Sequence, residues 1–263
     1  MLYKHAKYDS LITKITNKDL LFFGNYTIDP YQNCEFGCKY CDSALDETIY
    51  IKTNSIQLLE EEITKIEEGT IIVGSVHDPY QKIEKEYEIT RNLLNIIKQH
   101  NFSCHILTKS NLVLRDIDIL SKINNCVVTI STITLNESIS NVFETKVPLP
   151  AERLKILKKL SENKIKTGLA IMPVLPFIVE EEFEKIIKAA SKNGADYVLH
   201  KNLELKGDHK SIFLKTLEKF NPNLIDKYAE LYGDSYMPDQ TYILKINNMI
   251  SKYCKKYGLH MEI

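Results

Sequence analysis

Segments with the character of buried strands alternate with segments of helical periodicity along almost the whole chain, and this alternation restricts the fold more than any other feature. Short apolar runs rich in β-branched residues, such as Thr70-Ile71-Ile72-Val73-Gly74-Ser75-Val76, suit strands buried on both faces of a parallel sheet. Between them lie amphipathic stretches. Residues 56–67 carry Leu58, Leu59, Ile63 and Ile66 at helical spacing, with Ser55 as the expected N-cap. The pattern predicts strands over 21–28, 70–76, 103–108, 126–132, 166–172 and 196–205, with helices over 56–67, 84–100, 116–123, 151–163 and 180–193. Beyond residue 205 the chain reads as mainly helical, broken near Pro222 and from Gly233 to Pro238. Alternation of this kind gives an α/β fold with a parallel sheet and right-handed crossovers. At 263 residues the chain can bury one sizeable core, and no Pro-, Gly- or Ser-rich linker divides it.

Charge narrows the function classes. The 34 Lys+Arg and 35 Asp+Glu residues nearly cancel, so no global basic field advertises nucleic-acid binding. Arg153, Lys155, Lys158, Lys159, Lys164 and Lys166 crowd one stretch, and at helical spacing they read as a solvated helix face. Met1-Leu2-Tyr3-Lys4-His5 leads into a polar stretch without the apolar core of a signal peptide. The longest apolar run, 169–179, contains Pro173 and Pro176 and is too short to span a bilayer. A cytoplasmic protein with no membrane partner is expected.

Cys34, Cys38 and Cys41 lie within eight residues. Thiolates are the ligands of iron–sulfur clusters, usually four to a cluster, and this run stops one short. Zinc prefers paired C-x₂-C modules and a closed fourth position. Only Cys38 and Cys41 have that spacing, with His5, His77 and His105 as candidates for a fourth ligand. A structural zinc site, or a non-catalytic iron–sulfur protein serving as electron carrier or sensor, is therefore the rival reading. Cys104, Cys126 and Cys254 are scattered among apolar neighbours and read as small buried hydrophobes rather than as a disulfide framework. Such cysteine usage fits a reducing compartment. The tetrapeptide Asp-Pro-Tyr-Gln occurs at 29–32 and again at 78–81, each copy just beyond an expected strand. Proline forbids continued pairing there, so both copies turn the chain out at a strand's carboxyl end.

The run Cys34-x₃-Cys38-x-Tyr40-Cys41 resembles the signature of the radical S-adenosylmethionine (radical SAM) superfamily. Further blocks resemble its spore photoproduct lyase-like branch, often labelled DNA repair photolyases, over roughly Gly24 to Leu205. They include Asp29-Pro30-Tyr31-Gln32-Asn33-Cys34, Val73-Gly74-Ser75-Val76-His77-Asp78-Pro79-Tyr80-Gln81, Thr108-Lys109-Ser110, Ser131-Thr132-Ile133-Thr134 and Met172-Pro173-Val174-Leu175-Pro176. The resemblance implies a partial (β/α)6 barrel over 1–205, with a C-terminal helical extension over 206–263 packed on the same domain. It implies a 4Fe-4S cluster held by Cys34, Cys38 and Cys41, with S-adenosyl-L-methionine chelated to the open iron. Reductive cleavage of SAM would then release a 5′-deoxyadenosyl radical that abstracts hydrogen from a substrate. An electron donor such as a flavodoxin or ferredoxin is implied. The branch suggests a nucleic-acid lesion or modified nucleotide as substrate.

The same resemblance assigns site residues. Asp78, with Ser75 and His77, would face the SAM amino group, and the glycine-rich acidic motif usual at that position is absent. Lys109 would meet the SAM carboxylate as a charge-assisted pair. Ser131, with Thr132 beside it, would make a polar contact to SAM. Met172 and Pro173 would form an apolar wall near the adenine, and Tyr40 would pack against cluster or adenine. Arg91 and Arg115 are expected to brace the rim through ion pairs. A carrier or sensor has no need of a SAM pocket, so the Lys109 and Ser131 blocks argue for an enzyme. Aligned on Asp78, Ser75 falls where true spore photoproduct lyases carry their hydrogen-donating cysteine, so that reaction is not expected here.

Overall fold

The computed structural model describes residues 1–42 and 45–263. Strands β1 (Leu2–Ala6) and β2 (Thr13–Lys14) lead into β3 (Tyr26–Ile28). Strands β4 (Tyr31–Gln32) and β5 (Thr48–Lys52) flank the loop that carries the three clustered cysteines. Then follow α1 (Ser55–Ile63), β6 (Thr70–Val73), α2 (Glu84–Tyr87), α3 (Ile89–Gln99), β7 (Ser103–Thr108), α4 (Ile117–Leu120) and β8 (Cys126–Ser131). The alternation continues through α5 (Glu137–Phe143), α6 (Pro150–Glu162), β9 (Lys166–Val174), α7 (Phe183–Lys192) and β10 (Tyr197–Asn202). Helices α8 (His209–Phe220), α9 (Ile225–Tyr232) and α10 (Gln240–Tyr257) complete the chain. Among the described residues, no helix is long and apolar enough to cross a membrane.

The main sheet runs β10-β9-β8-β7-β6-β3-β2. Six of its strands, β3 and β6 to β10, are parallel neighbours, and β2 adds one antiparallel edge. This is the expected partial barrel. Alternate residues divide its two faces, as strand geometry requires. Ile106, Val128, Ile130 and Leu169 pack beneath the helices in the main core. Leu107, Val127, Ala170, Tyr197 and Leu199 gather in a second cluster on the opposite face. A second sheet, β1-β5-β4, sits beside the cysteine loop; periodicity did not reveal it, because its strands are short and β1 is largely exposed.

Several expected boundaries move for identifiable reasons. The first strand shrinks to 26–28 because the Asp19 carboxylate accepts from the backbone N–H groups of Leu21, Phe22 and Gly24, diverting donors that a strand would pair. The helix expected over 84–100 breaks at Glu88, which has φ +50°. There the buried Glu84 carboxylate accepts from Thr90 N and Arg91 N and caps the second segment. Ser55 is not an N-cap: Asn54 occupies that position, and the Ser55 hydroxyl donates to the Lys52 carbonyl. Strand β6 ends at Gly74, whose φ of +83° and contact with Pro79 leave no room for a β-carbon.

Candidate functional site

The carboxyl ends of the parallel strands share one rim, where chemistry concentrates in α/β barrels. The cysteine loop crosses that rim. Its base is closed by antiparallel pairing of Tyr31 with Ile51 and Gln32 with Tyr50. Three further attachments tie it to elements that follow β6, β8 and β10. Gln81 donates from Nε2 to the Asn33 carbonyl at 2.8 Å and accepts from Glu35 N at 2.8 Å. Lys39 N donates to the Phe143 carbonyl at 2.9 Å, and the Tyr40 phenol donates to Glu144. Asp42, next to Cys41, pairs with the His209 ring at the start of α8.

Cys34, Cys38 and Cys41 line one cavity of about 80 Å³ together with Tyr40, Ser75, Asp78, Lys109 and Ser131. Burial pushes the Cys38 thiol up to about 12, with the nearby Lys109 opposing. Burial also raises Cys34, and Asp78 adds to the effect. Metal binding at such thiols must therefore displace protons. Among the described residues, no three His, Cys, Asp or Glu side chains converge as ligands of a single ion do.

Lys109 follows β7 and holds its Nζ 5.9 Å from the centre of the Tyr40 ring. Burial would lower its pKa, but Cys38, Glu144 and Asp78 outweigh burial, and the net shift is upward. Among the described residues its side chain makes no ion pair or hydrogen bond. The site thus contains a cation with spare donors. Asp78 accepts from Thr108 Oγ1 at 2.7 Å, Lys109 N at 2.7 Å and Tyr80 N at 2.9 Å. It performs the turn-capping task while also facing the cavity. Ser75 donates to Asp29 at 2.9 Å. Ser131 donates to the Met172 carbonyl at 3.4 Å.

A second cavity of about 410 Å³ shares Tyr40, Cys41, Ser75 and Val76 with the first and extends to Met172 and Pro173. The structure therefore brings together the cysteines, Tyr40, Ser75, Asp78, Lys109, Ser131, Met172 and Pro173. His77 and Thr132 line neither cavity. The Thr132 hydroxyl donates to the Thr134 carbonyl at 3.0 Å, and His77 N donates to Asp29.

Two buried residues went unrecognised in the sequence. Arg153 is fully buried, with Nη2 2.5 Å from Glu144, Nη1 donating to the Ser131 carbonyl at 3.1 Å and Nε donating to the Pro148 carbonyl at 2.8 Å. Its expected place on a solvated face is wrong, whereas Lys155, Lys158, Lys159, Lys164 and Lys166 are exposed. The signal was present: Arg153 shares a helical stripe with Ile156, Leu157 and Leu160, all buried. The buried pair Glu144–Arg153 in turn supports Tyr40, at the centre of the cysteine loop. Arg91 pairs with Asp116 and Asp118, and Arg115 with Glu84 and Asp116, bracing the rim as expected.

Residues 28–190 match the Radical SAM superfamily. The chain belongs to the radical SAM superfamily. An uncharacterized protein of Mycobacterium tuberculosis is 24% identical over 271 residues, spanning 95% of this chain and 79% of the relative. One from Methanocaldococcus jannaschii is 33% identical over 169 residues, spanning 60% and 63%. Among solved structures, spore photoproduct lyase complexed with dinucleoside spore photoproduct has a TM-score of 0.76 at 13% identity, over 99% of this chain and 82% of that one. Streptococcus suis SuiB bound to S-adenosylmethionine has a TM-score of 0.62 at 14% identity, over 90% and 48%. The fold is thus that of spore photoproduct lyase. Radical SAM proteins bind a 4Fe-4S cluster and SAM, and these are the cofactors of this chain. The donor set fits them: three thiols line one cavity with an ammonium held over the Tyr40 ring.

Proposed function

We propose that Cys34, Cys38 and Cys41 are the protein ligands of the 4Fe-4S cluster and that SAM lies across the two adjoining cavities. The bound cofactors supply reductive cleavage of SAM and hydrogen-atom abstraction from a substrate. Lys109 would attract the SAM carboxylate, since its ammonium has no competing carboxylate at ion-pair distance among the described residues. Ser75, Asp78 and Ser131 offer oxygens along the same wall, and Met172 with Pro173 gives the adenine an apolar surface. His77 and Thr132 would act through the backbone they hold rather than by contact. Residues 1–205 form the reaction barrel, with 206–263 packed on it, in a cytoplasmic protein. The observation that carries this reading is the convergence of three cysteines and an uncommitted ammonium on one cavity.

The substrate we infer is a nucleic-acid lesion or modified nucleotide, supported by the shared fold with spore photoproduct lyase. Efficient reversal of the spore thymine dimer is not part of the proposal. Ser75 stands at the cavity where a hydrogen-donating thiol would be needed, and a serine O–H bond is too strong for that step. Cys104 lies at the start of β7, packed in the main core beside Cys126, away from this rim.

The test is anaerobic reconstitution with iron and sulfide analysis, followed by assay for 5′-deoxyadenosine after adding SAM and dithionite. Simultaneous Cys34→Ala, Cys38→Ala and Cys41→Ala should abolish both cluster and product. Lys109→Ala should weaken SAM binding about tenfold or more, the loss of a charge-assisted contact of roughly 1.5–3 kcal/mol. Full cluster retention in the triple variant, or stoichiometric zinc in the native protein, would overturn the reading.

A further inference from the structure

We propose that the cleft behind the cysteine loop is the docking face for an acidic one-electron carrier protein, an inference that rests on the cluster assignment above. Phe36, between Cys34 and Cys38, forms part of the cysteine cavity and also of a separate cavity of about 360 Å³. Among the described residues, Phe36 alone is shared by the two, and the outer cavity shares none with the mouth that reaches Met172 and Pro173. The cysteine loop therefore has two approaches, and one side chain separates the outer cleft from its sulfur wall.

Among the described residues, the charged ones lining the outer cleft are Lys82, Lys85 and Lys146, with no Asp or Glu. All three are exposed, and among the described residues none makes an ion pair. At the other mouth, by contrast, Lys201 and Lys206 are both neutralised by Glu204. Three lysines outside any ion pair thus line a concavity that Phe36 of the cysteine loop also lines, on a chain whose overall formal charge is -1. Such a patch steers an acidic partner and suppresses basic ones. The position suits electron delivery rather than substrate binding. A polyanionic substrate held here would lie on the far side of Phe36 from the SAM mouth, whereas a carrier here reaches the cluster without entering that mouth. In the transfer, one electron leaves the reduced carrier and the cluster gains it, with no bond or proton exchanged.

The test compares reconstituted wild-type protein with a variant carrying Lys82→Glu, Lys85→Glu and Lys146→Glu, using a flavodoxin as the probe. Binding of oxidised flavodoxin is followed by titration calorimetry, and cluster reduction by flavodoxin hydroquinone by stopped flow. At low salt both should weaken about tenfold or more in the variant. Wild type and variant should converge near ~0.5 M salt as the charges are screened. The corresponding Lys→Gln triple variant should fall between them, and dithionite-driven SAM cleavage should be unchanged. Unaltered flavodoxin affinity and reduction rate would overturn the proposal. So would loss of single-stranded oligonucleotide binding with flavodoxin binding intact, which would give the cleft to nucleic acid. Absence of dithionite-driven SAM cleavage in the wild type would strike the cluster reading instead, while the calorimetry still judges the docking face.

Discussion

The two copies of Asp-Pro-Tyr-Gln perform the same operation at adjoining strand ends. Asp29, just past β3, reaches the loop after β6: one oxygen accepts from the Ser75 hydroxyl at 2.9 Å, the other from Val76 N and His77 N at 3.1 Å each. Asp78, past β6, reaches the end of β7 and accepts from the Thr108 hydroxyl and Lys109 N at 2.7 Å each. Each carboxylate thus takes a hydroxyl and at least one backbone N–H from the end of the next strand or the loop after it. The close spacing of parallel strands puts those loops within one side chain's reach. Beyond the proline the copies diverge. Gln32 is exposed and accepts from the Tyr8 phenol, whereas Gln81 is fully buried and stitches Asn33 and Glu35 of the cysteine loop. One local motif therefore gives a plain staple at one strand end. At the other it joins Lys109 to the cysteine loop through a single segment.

The sharpest test of that difference is paired removal of the carboxylates. Asp78→Ala should cost roughly 2–4 kcal/mol, because several donors lose a charged acceptor, and it should also weaken SAM binding through displaced Lys109. Asp29→Ala should cost only about 1–2 kcal/mol and leave SAM affinity closer to wild type. Denaturant titration and SAM binding on both variants decide it; equal losses in both measurements would erase the distinction. The glutamines come next. Gln81→Ala should destabilise by about 1–3 kcal/mol and lower iron content after reconstitution, since it strands buried backbone groups. Gln32→Ala should stay within about 0.5 kcal/mol with full iron loading.

The smallest effect is in pH dependence, where His77, whose backbone Asp29 holds, and Asp78 should differ in sign. Burial holds His77 below the ordinary imidazole range, with Asp29 opposing. The unfolded chain then binds a proton more readily, so this contribution is present above about 6.5 and is lost as pH falls through the folded value. Burial raises Asp78, with hydrogen bonds from Lys109 and Thr108 opposing. Its contribution is present below about 3.9 and is lost as pH rises through the folded value. His77→Gln should flatten the stability profile just below pH ~6.5, and Asp78→Asn should flatten it just above pH ~4. Profiles superimposable on wild type in both variants would count against these assignments.

Legibility in the sequence followed the range of the interaction. Five of the six parallel strands and the cysteine loop could be read close to their final positions, because buried strands and helical stripes imprint a period on consecutive residues. The first strand could not, since the Asp19 carboxylate claimed its backbone donors. Strands β1 and β5 also escaped notice: their pairing, Leu2 with Thr48 through Ala6 with Lys52, joins segments far apart in the chain without a long apolar run. Ser75, Asp78, Lys109 and Ser131 were singled out by motif, and the structure sets them around one cavity with the cysteines.

What the sequence determined by itself is the α/β alternation, the two Asp-Pro-Tyr-Gln turns beyond strand ends, and the three thiols on one short loop. Each is a property of a few successive side chains. The tertiary structure decided that Arg153 would be buried against Glu144, that Gln81 rather than Gln32 would grip the cysteine loop, and that Lys109 would keep its ammonium uncommitted. Those outcomes depend on which strand lies next to which, and on what a polar group meets when water is withdrawn. Asp29 and Ser75 are 46 positions apart in the chain and 2.9 Å apart in the fold. No local period encodes that distance; packing of one parallel strand against the next does.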